Sequence, residues 1–400
     1  MNYNTSRIVS SILQQSIGPY YPLNLLNEYE NDEIFTNKDR VRLLGKSLQE
    51  VCSGYKVYLK VHGAKATNLA IHYSVELHEG TSIRSLYSIK AELEVHLGHQ
   101  IEITEDSSKV IIALKNDNRP FIGLKKVMKT KAFINSMSPL TVAAGIDMGG
   151  KPVIIDLINA PHILISGTTG SGKSIFLDDL LLSILFKASP ADVRMSLIDP
   201  KHVELHPYDG IPHLLNPVIH RPIDALDSFM WLEDEILRRY NKLFTRYNVR
   251  SIEEYNNRAD KRLPRILLVI DEYADLIRES PKEMHEIIDR IARLGRAVGV
   301  HLILVTQLPI SKIVTPQIKA NIPCRLSFTV LDKRESRIIL DKTGAERLLG
   351  NGDMIFSDSG QSSGIHAQAA YVSETELEKV LKHIKNQKYR NNGSLEEYWD

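Results

Sequence analysis

One stretch of the sequence, His162–Phe186, constrains the fold more than any other. It reads HILISGTTGSGKSIFLDDLLLSILF: a short apolar run, a glycine-rich turn and a longer apolar run. The first run has the length of a buried β-strand, and the second has that of a helix. The fixed positions of the phosphate-loop pattern GxxxxGK[ST] are filled by Gly167, Gly172, Lys173 and Ser174. We therefore predict a strand, loop and helix that together bind the phosphates of a nucleotide.

The residues of this loop have separate tasks. Glycine lets backbone N–H groups turn toward phosphate oxygens, and the N-terminus of the following helix adds its positive end. A lysine at the end of the loop neutralises the β- and γ-phosphates, and the next hydroxyl coordinates magnesium. We therefore predict ATP and Mg²⁺ as cofactors, with Lys173 catalytic and Ser174 a metal ligand. The predicted nucleotide-binding residues are Gly167, Thr168, Thr169, Gly170, Ser171, Gly172, Lys173 and Ser174.

Two further apolar runs end in polar side chains. RILLVID ends in Asp271, which Glu272 follows, and HLILVT ends in Thr306, which Gln307 follows. Because the carboxyl ends of parallel strands meet at one sheet edge, we expect these side chains beside the phosphate loop. Asp271 is the predicted second magnesium ligand, Glu272 polarises the attacking water, and Gln307 senses the γ-phosphate. The Asp-Glu pair indicates hydrolysis of ATP rather than phosphate transfer to a small molecule.

Three charged residues follow another apolar run, in the segment LIDPKHVEL. They are Asp199, Lys201 and Glu204. Their position is on the side of a parallel sheet where ligands bind. The pattern fits a ligand contact and a structural salt bridge equally well, so the sequence assigns these residues no role.

The order of the apolar segments predicts the fold class. After Pro161 the runs HILIS, VRMSLID, RILLVID and HLILVT are almost continuously apolar and alternate with helical segments. Such runs form a buried, mostly parallel sheet that helices cover on both faces. Residues 51–137 instead alternate apolar and polar residues in short runs around one helical segment. We predict an α/β P-loop domain at 138–400, a small α+β subdomain at 51–137, and an N-terminal extension at 1–50.

The composition limits what the chain can bind. The 50 basic and 49 acidic residues leave a net charge of +1, so any contact with a polyanion has to be local. Cys52 and Cys324 are far apart and have no second cysteine or histidine at metal-ligand spacing, so we expect neither a disulfide framework nor a zinc site. No apolar run approaches the roughly 20 residues of a membrane-spanning helix. We expect a cytoplasmic protein without a membrane segment.

Two groups of basic residues are candidates for further contacts. Arg290, Arg293 and Arg296 repeat every three residues along one predicted helix. Most such arginines are solvated, but ring-shaped ATPases project one arginine into the next subunit's nucleotide site, and Arg296, near the helix end, is our candidate. The segment after Gln307 is rich in basic residues, which either contact a polyanion or are simply solvated. The predicted DNA contacts in it are Lys312, Lys319, Lys333 and Arg337.

Several segments occur in the order typical of one family. They are PHILISGTTGSGKS, SLIDPKHVEL, GIPHLLNPV, LVIDEYADL, GVHLILVTQ, IKANIPCRLSF and SRIILDKTGAERLLGNGDMIF. From Ser138 to Gln387 the chain resembles the motor region of the FtsK/SpoIIIE double-stranded DNA translocases. The small α+β subdomain resembles, more weakly, the first motor subdomain of that family. The resemblance implies a RecA-like ATPase core, a homo-hexameric ring around duplex DNA, and DNA pumping driven by ATP.

The resemblance also assigns roles to residues and exposes departures. It makes Arg296 the arginine that acts in the neighbouring subunit, and it puts Lys319, Lys333 and Arg337 on or near loops that face DNA. Where the family usually reads Thr-Gln-Arg-Pro, this chain reads TQLP, so Leu308 removes a basic residue. We find no membrane region and no winged-helix domain. We therefore expect a stand-alone motor for DNA transfer or segregation, recruited by a partner through residues 1–50.

Two other functions remain open at this point. Protein-secretion systems use related ATPases, although these usually carry membrane segments and several ATPase modules. A DNA-binding adaptor with an inactive nucleotide site is the third hypothesis, and the intact Lys173, Asp271 and Glu272 argue against it. We expect a DNA translocase whose ATP hydrolysis double-stranded DNA stimulates.

Overall fold

The computed structural model describes most of the chain, and all structural statements below refer to the described part. The described residues are 20–29, 37–67, 69–106, 109–116, 120–279, 281–358 and 364–387. Of the predicted N-terminal extension, residues 1–19 and 30–36 lie outside them. Contacts between Cα atoms divide the chain into a smaller unit, residues 28–122 and 146–152, and a larger unit that holds the remainder.

The predicted domain boundaries do not coincide with these units. The boundary at 50/51 falls inside the helix Lys38–Gly54, because Leu48 and Cys52 lie one turn apart and are both buried in the core of the smaller unit. The boundary at 137/138 falls inside residues 123–145, which belong to the larger unit. Lys187 of that unit donates to the carbonyl oxygen of Phe133 at 3.0 Å and lies 5.0 Å above its ring.

The smaller unit is a four-stranded antiparallel sheet packed against helices. Its strands are β1 (Leu59–Ala66), β2 (Ala70–Leu77), β3 (Ile101–Asp106) and β4 (Lys109–Lys115), in the order β1-β2-β4-β3. Its helices are α1 (Lys38–Gly54), α2 (Ile83–Ser88) and α3 (Lys90–Leu97). The single helix predicted after β2 is therefore two helices, which meet at Ile89.

The larger unit is built on one nine-stranded sheet. Its strands are β5 (Thr141–Asp147), β6 (Pro152–Asp156), β7 (His162–Ser166), β8 (Val193–Ile198), β9 (Arg265–Ile270), β10 (Val300–Thr306), β11 (Cys324–Ser327), β12 (Asp353–Ser357) and β13 (Ile365–Ala369). The order is β6-β5-β13-β12-β11-β7-β10-β9-β8. From β11 to β8 the five strands run parallel, and β12 is antiparallel to both β11 and β13.

The helices of the larger unit precede, separate or follow these strands along the chain. They are α4 (Leu124–Met128), α5 (Lys131–Ile134), α6 (Lys173–Lys187), α7 (Pro222–Tyr240), α8 (Ile252–Arg258), α9 (Tyr273–Glu279), α10 (Pro281–Gly295), α11 (Pro316–Asn321), α12 (Lys333–Leu340) and α13 (Glu374–Asn386). No helix of the described residues is both long and apolar enough to cross a bilayer.

Burial explains why the central strands read as continuous apolar runs. Every residue of β7, β9 and β10 is buried, which is the pattern of a parallel sheet covered on both faces. The predicted fold class, an α/β P-loop domain with a mostly parallel sheet, is confirmed. The carboxyl ends of β7, β8, β9 and β10 meet at one edge, and the phosphate loop leaves β7 there.

Candidate active site

The phosphate loop joins β7 to α6, and residues from two later segments of the chain hold its backbone by hydrogen bonds. Gly172 has a φ of 109°, in the left-handed region, and a Cβ there would lie 2.5 Å from the backbone nitrogen of Gly352. The N–H of Gly352 donates to the carbonyl oxygen of Ser171 at 2.8 Å. On the other side, the N–H of Thr168 donates to the carbonyl oxygen of Thr329 at 2.8 Å. The loop conformation therefore needs glycine at position 172 and depends on two later segments of the chain.

Lys173 is buried among carboxylates at the start of α6. Its side chain reaches the environment of Asp271, Glu272 and Glu204, whose charges raise its pKa, while burial lowers the pKa more, so the net change is downward. Burial also raises the pKa of Asp271 from 3.8 to about 7, helped by the charges of Asp199 and Glu204 and opposed by Lys173. The predicted phosphate ligand and the predicted magnesium ligand thus share one desolvated site.

The oxygen atoms around Ser174 fit a magnesium ion. The Ser174 hydroxyl donates to a carboxylate oxygen of Glu204 at 2.6 Å, and Glu204 is electrostatically coupled to Asp271. Hydroxyl and carboxylate oxygens are the protein ligands that Mg²⁺ prefers. Ser174 and Asp271 are the residues that would hold the ion, which supplies positive charge beside the phosphates when bound. Glu204, to which the sequence assigned no role, belongs to the same set.

Three contacts fix the carboxylate of Glu272. It accepts hydrogen bonds from the Thr306 hydroxyl and the backbone N–H of Gln307, both at 3.2 Å, and from Lys201 Nζ at 3.0 Å. Glu272 has a φ of 51°, which is unusual for a residue with a side chain, and it is only 3% exposed. Strain and burial at one residue are typical of functional sites. The carboxylate is thus held at the sheet edge from which the phosphate loop leaves β7.

Lys201 is the partner of Glu272 that the sequence did not identify. Its ammonium group also lies 3.7 Å from Asp275. Partial burial acts to lower the pKa of Lys201, but the hydrogen bond and the charge of Glu272, with the charges of Asp275 and Asp271, outweigh it and raise the pKa. The ammonium group therefore stays charged beside the carboxylate that is predicted to polarise water.

Gln307 contacts both Glu272 and the phosphate loop. Its backbone N–H contacts Glu272, and its side-chain oxygen accepts a hydrogen bond from the Thr169 hydroxyl at 2.9 Å. Thr169 lies in the phosphate loop. A ligand that displaced the Thr169 hydroxyl would break this hydrogen bond; the role of Gln307 as a sensor stays a prediction.

Arg296 lies at the opposite edge of the sheet. It opens a 3-10 turn that precedes β10, whereas Gln307 follows the same strand. The seven residues of β10 span roughly 20 Å at 3.3 Å per residue. Arg296 is exposed and lies too far away to reach the phosphate loop of its own chain. Arg290, from the same predicted series, is paired with Glu233.

A basic groove follows the active site in the chain. It has a volume of about 620 Å³, and its charged lining residues are Lys319, Arg325, Arg334, Arg337 and Asp341. Lys319 and Arg325 both pair with Asp341, so Lys319 is less available to an external anion than the sequence suggested. The predicted DNA contacts Lys312 and Lys333 are exposed but do not line this groove.

Comparison with known proteins gives the family. Residues 123–311 match the model of the FtsK/SpoIIIE family. The DNA translocase FtsK of Haemophilus influenzae is 35% identical over 390 residues, which are 90% of this chain and 74% of that protein. The chain belongs to the FtsK/SpoIIIE family. The predicted resemblance is therefore confirmed.

Other members of this family are longer than the present chain. The DNA translocase FtsK of Clostridium acetobutylicum is 37% identical over 408 residues, which are 96% of this chain but 53% of that protein. The DNA translocase SftA of Bacillus subtilis is 36% identical over 90% of this chain and 38% of its own length. The chain thus spans about half, or less, of the length of these two relatives.

Solved structures agree with the fold. The pCW3 conjugation coupling protein TcpA, in its monomer form with ATPγS, has a TM-score of 0.60 at 24% identity and covers 85% of this chain and 99% of its own. The cytoplasmic domain of the type VII secretion ATPase EccC of Thermomonospora curvata has a TM-score of 0.56 at 26% identity, over 62% of this chain and 31% of its own. The larger unit therefore has the fold of a P-loop ATPase.

Proposed function

We propose that this chain is an ATP-driven translocase of double-stranded DNA. One observation carries the proposal: a single continuous segment links the nucleotide site to the basic groove. Gln307, which contacts both Thr169 and Glu272, directly follows β10, and the residues after it lead to Lys319 in α11. A change at the phosphate loop can therefore be passed to the groove through the backbone. Relatives that are named DNA translocases match almost the whole chain.

The chemical step is hydrolysis of ATP. Lys173 neutralises the phosphates, while Ser174 and Asp271 hold the magnesium ion. Glu272 orients and polarises the attacking water and takes its proton. Because Lys201 fixes the Glu272 carboxylate, this carboxylate is already oriented before ATP binds. The hydroxyl of Thr169 is the group through which Gln307 senses whether the γ-phosphate is present.

The groove residues make the DNA contact. Arg334 and Arg337 lie on the first turns of α12, are exposed, and offer charge without base-specific geometry. Contacts of this kind bind the phosphate backbone and carry little sequence information. Movement along DNA of any sequence needs contacts of this type. We propose that such movement serves DNA transfer or segregation.

We propose that the working form is the homo-hexameric ring that the family resemblance implies, in which a neighbouring chain completes each nucleotide site. Arg296 is exposed at the sheet edge away from its own phosphate loop, so it can stabilise the transferring charge only in a neighbouring subunit. Arg296→Ala is then expected to abolish turnover while leaving ATP binding intact. Mixing it with a Glu272→Gln chain should restore part of the turnover, because the intact Glu272 site of an Arg296→Ala chain can then meet the intact Arg296 of a Glu272→Gln neighbour.

The test is the rate of ATP hydrolysis with and without duplex DNA. We expect stimulation that weakens between about 50 and 200 mM salt, since neutralised phosphates release counterions. Lys173→Ala and Glu272→Gln should have no turnover. The double substitution of Arg334 and Arg337 by Ala should lose stimulation by DNA but keep the basal rate, and Arg258→Ala, an exposed arginine of α8, is the matched control. A rate indifferent to DNA at every salt concentration would refute the proposal.

A second candidate function is a protein-secretion ATPase. The observation that favours it is the 26% identity and TM-score of 0.56 with the secretion ATPase EccC, over 62% of this chain. The DNA translocases match at higher identity over more of the chain, 37% over 96% in one case, and so favour the first candidate. Turnover that ignores DNA but responds to a peptide substrate would favour the second.

A further inference from the structure

Three histidines meet on the surface of the larger unit, beside the active site. His202 and His206 are exposed, His220 is half-buried, and one ring nitrogen of each lies within 4.8 Å of the others. The ring centroid of His202 lies 3.7 Å from that of His220 and 4.7 Å from that of His206. The cluster brings together residues up to 18 positions apart, which hid it from any sequence pattern with fixed spacing.

The backbone holds two of these histidines in place. The carboxylate of Asp199 accepts hydrogen bonds at 2.8 to 3.1 Å from four backbone N–H groups of the loop, at residues 201, 203, 204 and 205. His202, inside this loop, has a φ of 55°. The N–H of Asp199 donates to the carbonyl oxygen of Ile219 at 2.8 Å, and Ile219 forms a single β-bridge with Ile198. These contacts hold the residue before His220 against the end of β8.

The tautomer of His220 suits a metal ligand. Its Nδ1 donates to the backbone carbonyl oxygen of Asp199 at 2.8 Å, because a carbonyl can only accept. In the neutral ring the lone pair is then on Nε2, on the side away from that contact. Metal-binding histidines typically give one ring N–H to a backbone carbonyl or carboxylate in this way. The arrangement both orients the ring and selects the binding nitrogen.

We propose that His202, His206 and His220 bind one divalent transition-metal ion, with Zn²⁺ as the best match. Three imidazoles select zinc, cobalt, nickel or copper over magnesium and calcium, which prefer oxygen. Nitrogens about 2.0–2.1 Å from a tetrahedral zinc lie roughly 3.4 Å apart. The ring nitrogens of the cluster lie within 4.8 Å of one another, so rotations of the His202 and His206 side chains need to bring them closer by about 1.4 Å at most. Both are exposed and free to do so, and the fourth position stays open to solvent.

The place of the site in the fold distinguishes it from the magnesium site. His202 follows Lys201, whose ammonium group contacts Glu272. A metal ion at the three histidines would therefore clamp the loop that carries Lys201. The magnesium site would use oxygens of Ser174 and Asp271, with the carboxylate of Glu204 beside them, and none of the three histidines belongs to that set.

The test is a zinc titration of the full chain, purified without a polyhistidine tag. ZnCl₂ is added against a chromophoric zinc indicator, without nucleotide and with excess MgCl₂ to occupy oxygen sites. We expect one Zn²⁺ per chain. His202→Asn, which tolerates the left-handed backbone, and His206→Ala should each weaken binding at least about 100-fold, more than the loss of an outer-shell partner costs. His78→Ala, an exposed histidine of the smaller unit, should bind as wild type.

Cobalt supplies a second readout on the same proteins. Co²⁺ should give a visible d–d band in wild type and in His78→Ala, and the band should be lost in His206→Ala. The His206 side chain is exposed, so its removal should leave the fold intact. Far-UV circular dichroism of His206→Ala, expected to equal that of wild type, checks the fold. Wild type that binds no Zn²⁺, or cluster variants that bind it as wild type does, would overturn the proposal.

Discussion

Replacing Asp271 by Asn should stabilise the protein while destroying its turnover. Asp271 is 6% exposed and lies near Asp199, Glu204 and Glu272. Lys173 offsets only part of this negative charge in the absence of magnesium and nucleotide. The amide of Asn has the same shape but carries no charge, so it removes the repulsion without leaving a cavity. Function and stability therefore make opposite demands on this position.

The magnitude follows from the pKa. Burial, with the charges of Asp199 and Glu204, raises the pKa of Asp271 from 3.8 to about 7. The difference of about 3 pH units corresponds to about 4 kcal/mol. Because the folded state holds the proton more tightly, the stability that Asp271 contributes is fully present below about pH 4 and is lost as the pH rises through about 7. About 2 kcal/mol of this change falls between about pH 5.5 and about pH 8.

The assay is urea denaturation at these two pH values, with EDTA and without nucleotide. The free energy of unfolding of Asp271→Asn should exceed that of wild type by about 2 kcal/mol more at the higher pH than at the lower one. Asp227→Asn, on the exposed face of α7, should show no such difference. Stability curves of Asp271→Asn and wild type that run parallel across this range would refute the reasoning.

Three further substitutions test other parts of the structure. Gly172→Ala should strain the phosphate loop by about 1–3 kcal/mol, because the Cβ of the new side chain would lie 2.5 Å from the Gly352 backbone. This variant should stay folded but should not bind a fluorescent ATP analogue. Normal binding of the analogue would contradict the prediction. Arg239→Met removes the buried partner of the Glu235 carboxylate and leaves it only the half-exposed Arg238 at 3.6 Å, so it should lower the free energy of unfolding, measured in urea, by about 3–5 kcal/mol; a change below about 1 kcal/mol would show that the buried pair adds little. Lys201→Met should reduce kcat at least about 10-fold with an unchanged KM for ATP, because the catalytic carboxylate loses its orienting contact; an unchanged kcat in steady-state turnover would remove Lys201 from the mechanism.

Much of the fold and part of the site could be predicted, because strand ends are visible in sequence. Asp271 and Gln307 directly follow continuous apolar runs, and parallel strands bring such positions together at one edge. Lys201 and Glu204 were not assignable, since their contacts depend on a loop whose course is set by hydrogen bonds to the carboxylate of Asp199. Nothing in the local sequence specifies that course.

The residues of the basic groove, the proposed DNA contact, were less predictable for a similar reason. The basic composition of the segment after Gln307, with the family resemblance, pointed to Lys319 and Arg337, and both line the groove. However, Lys319 pairs with Asp341, which lies 22 positions away, so only the fold shows that its charge is partly neutralised. Arg325 joins that pair and Arg334 lines the groove beside it; both belong to the basic segment after Gln307 but were not among the four predicted DNA contacts. Long-range ion pairs of this kind leave no mark in a single sequence.

The most direct test of the central proposal is displacement of a triplex-forming oligonucleotide from duplex DNA. A translocase that moves along the duplex removes the third strand, whereas an ATPase that merely binds DNA leaves it in place. We predict displacement that needs ATP and is absent in Lys173→Ala and Glu272→Gln, and that Arg258→Ala retains. Turnover stimulated by DNA without any displacement of the third strand would contradict the account.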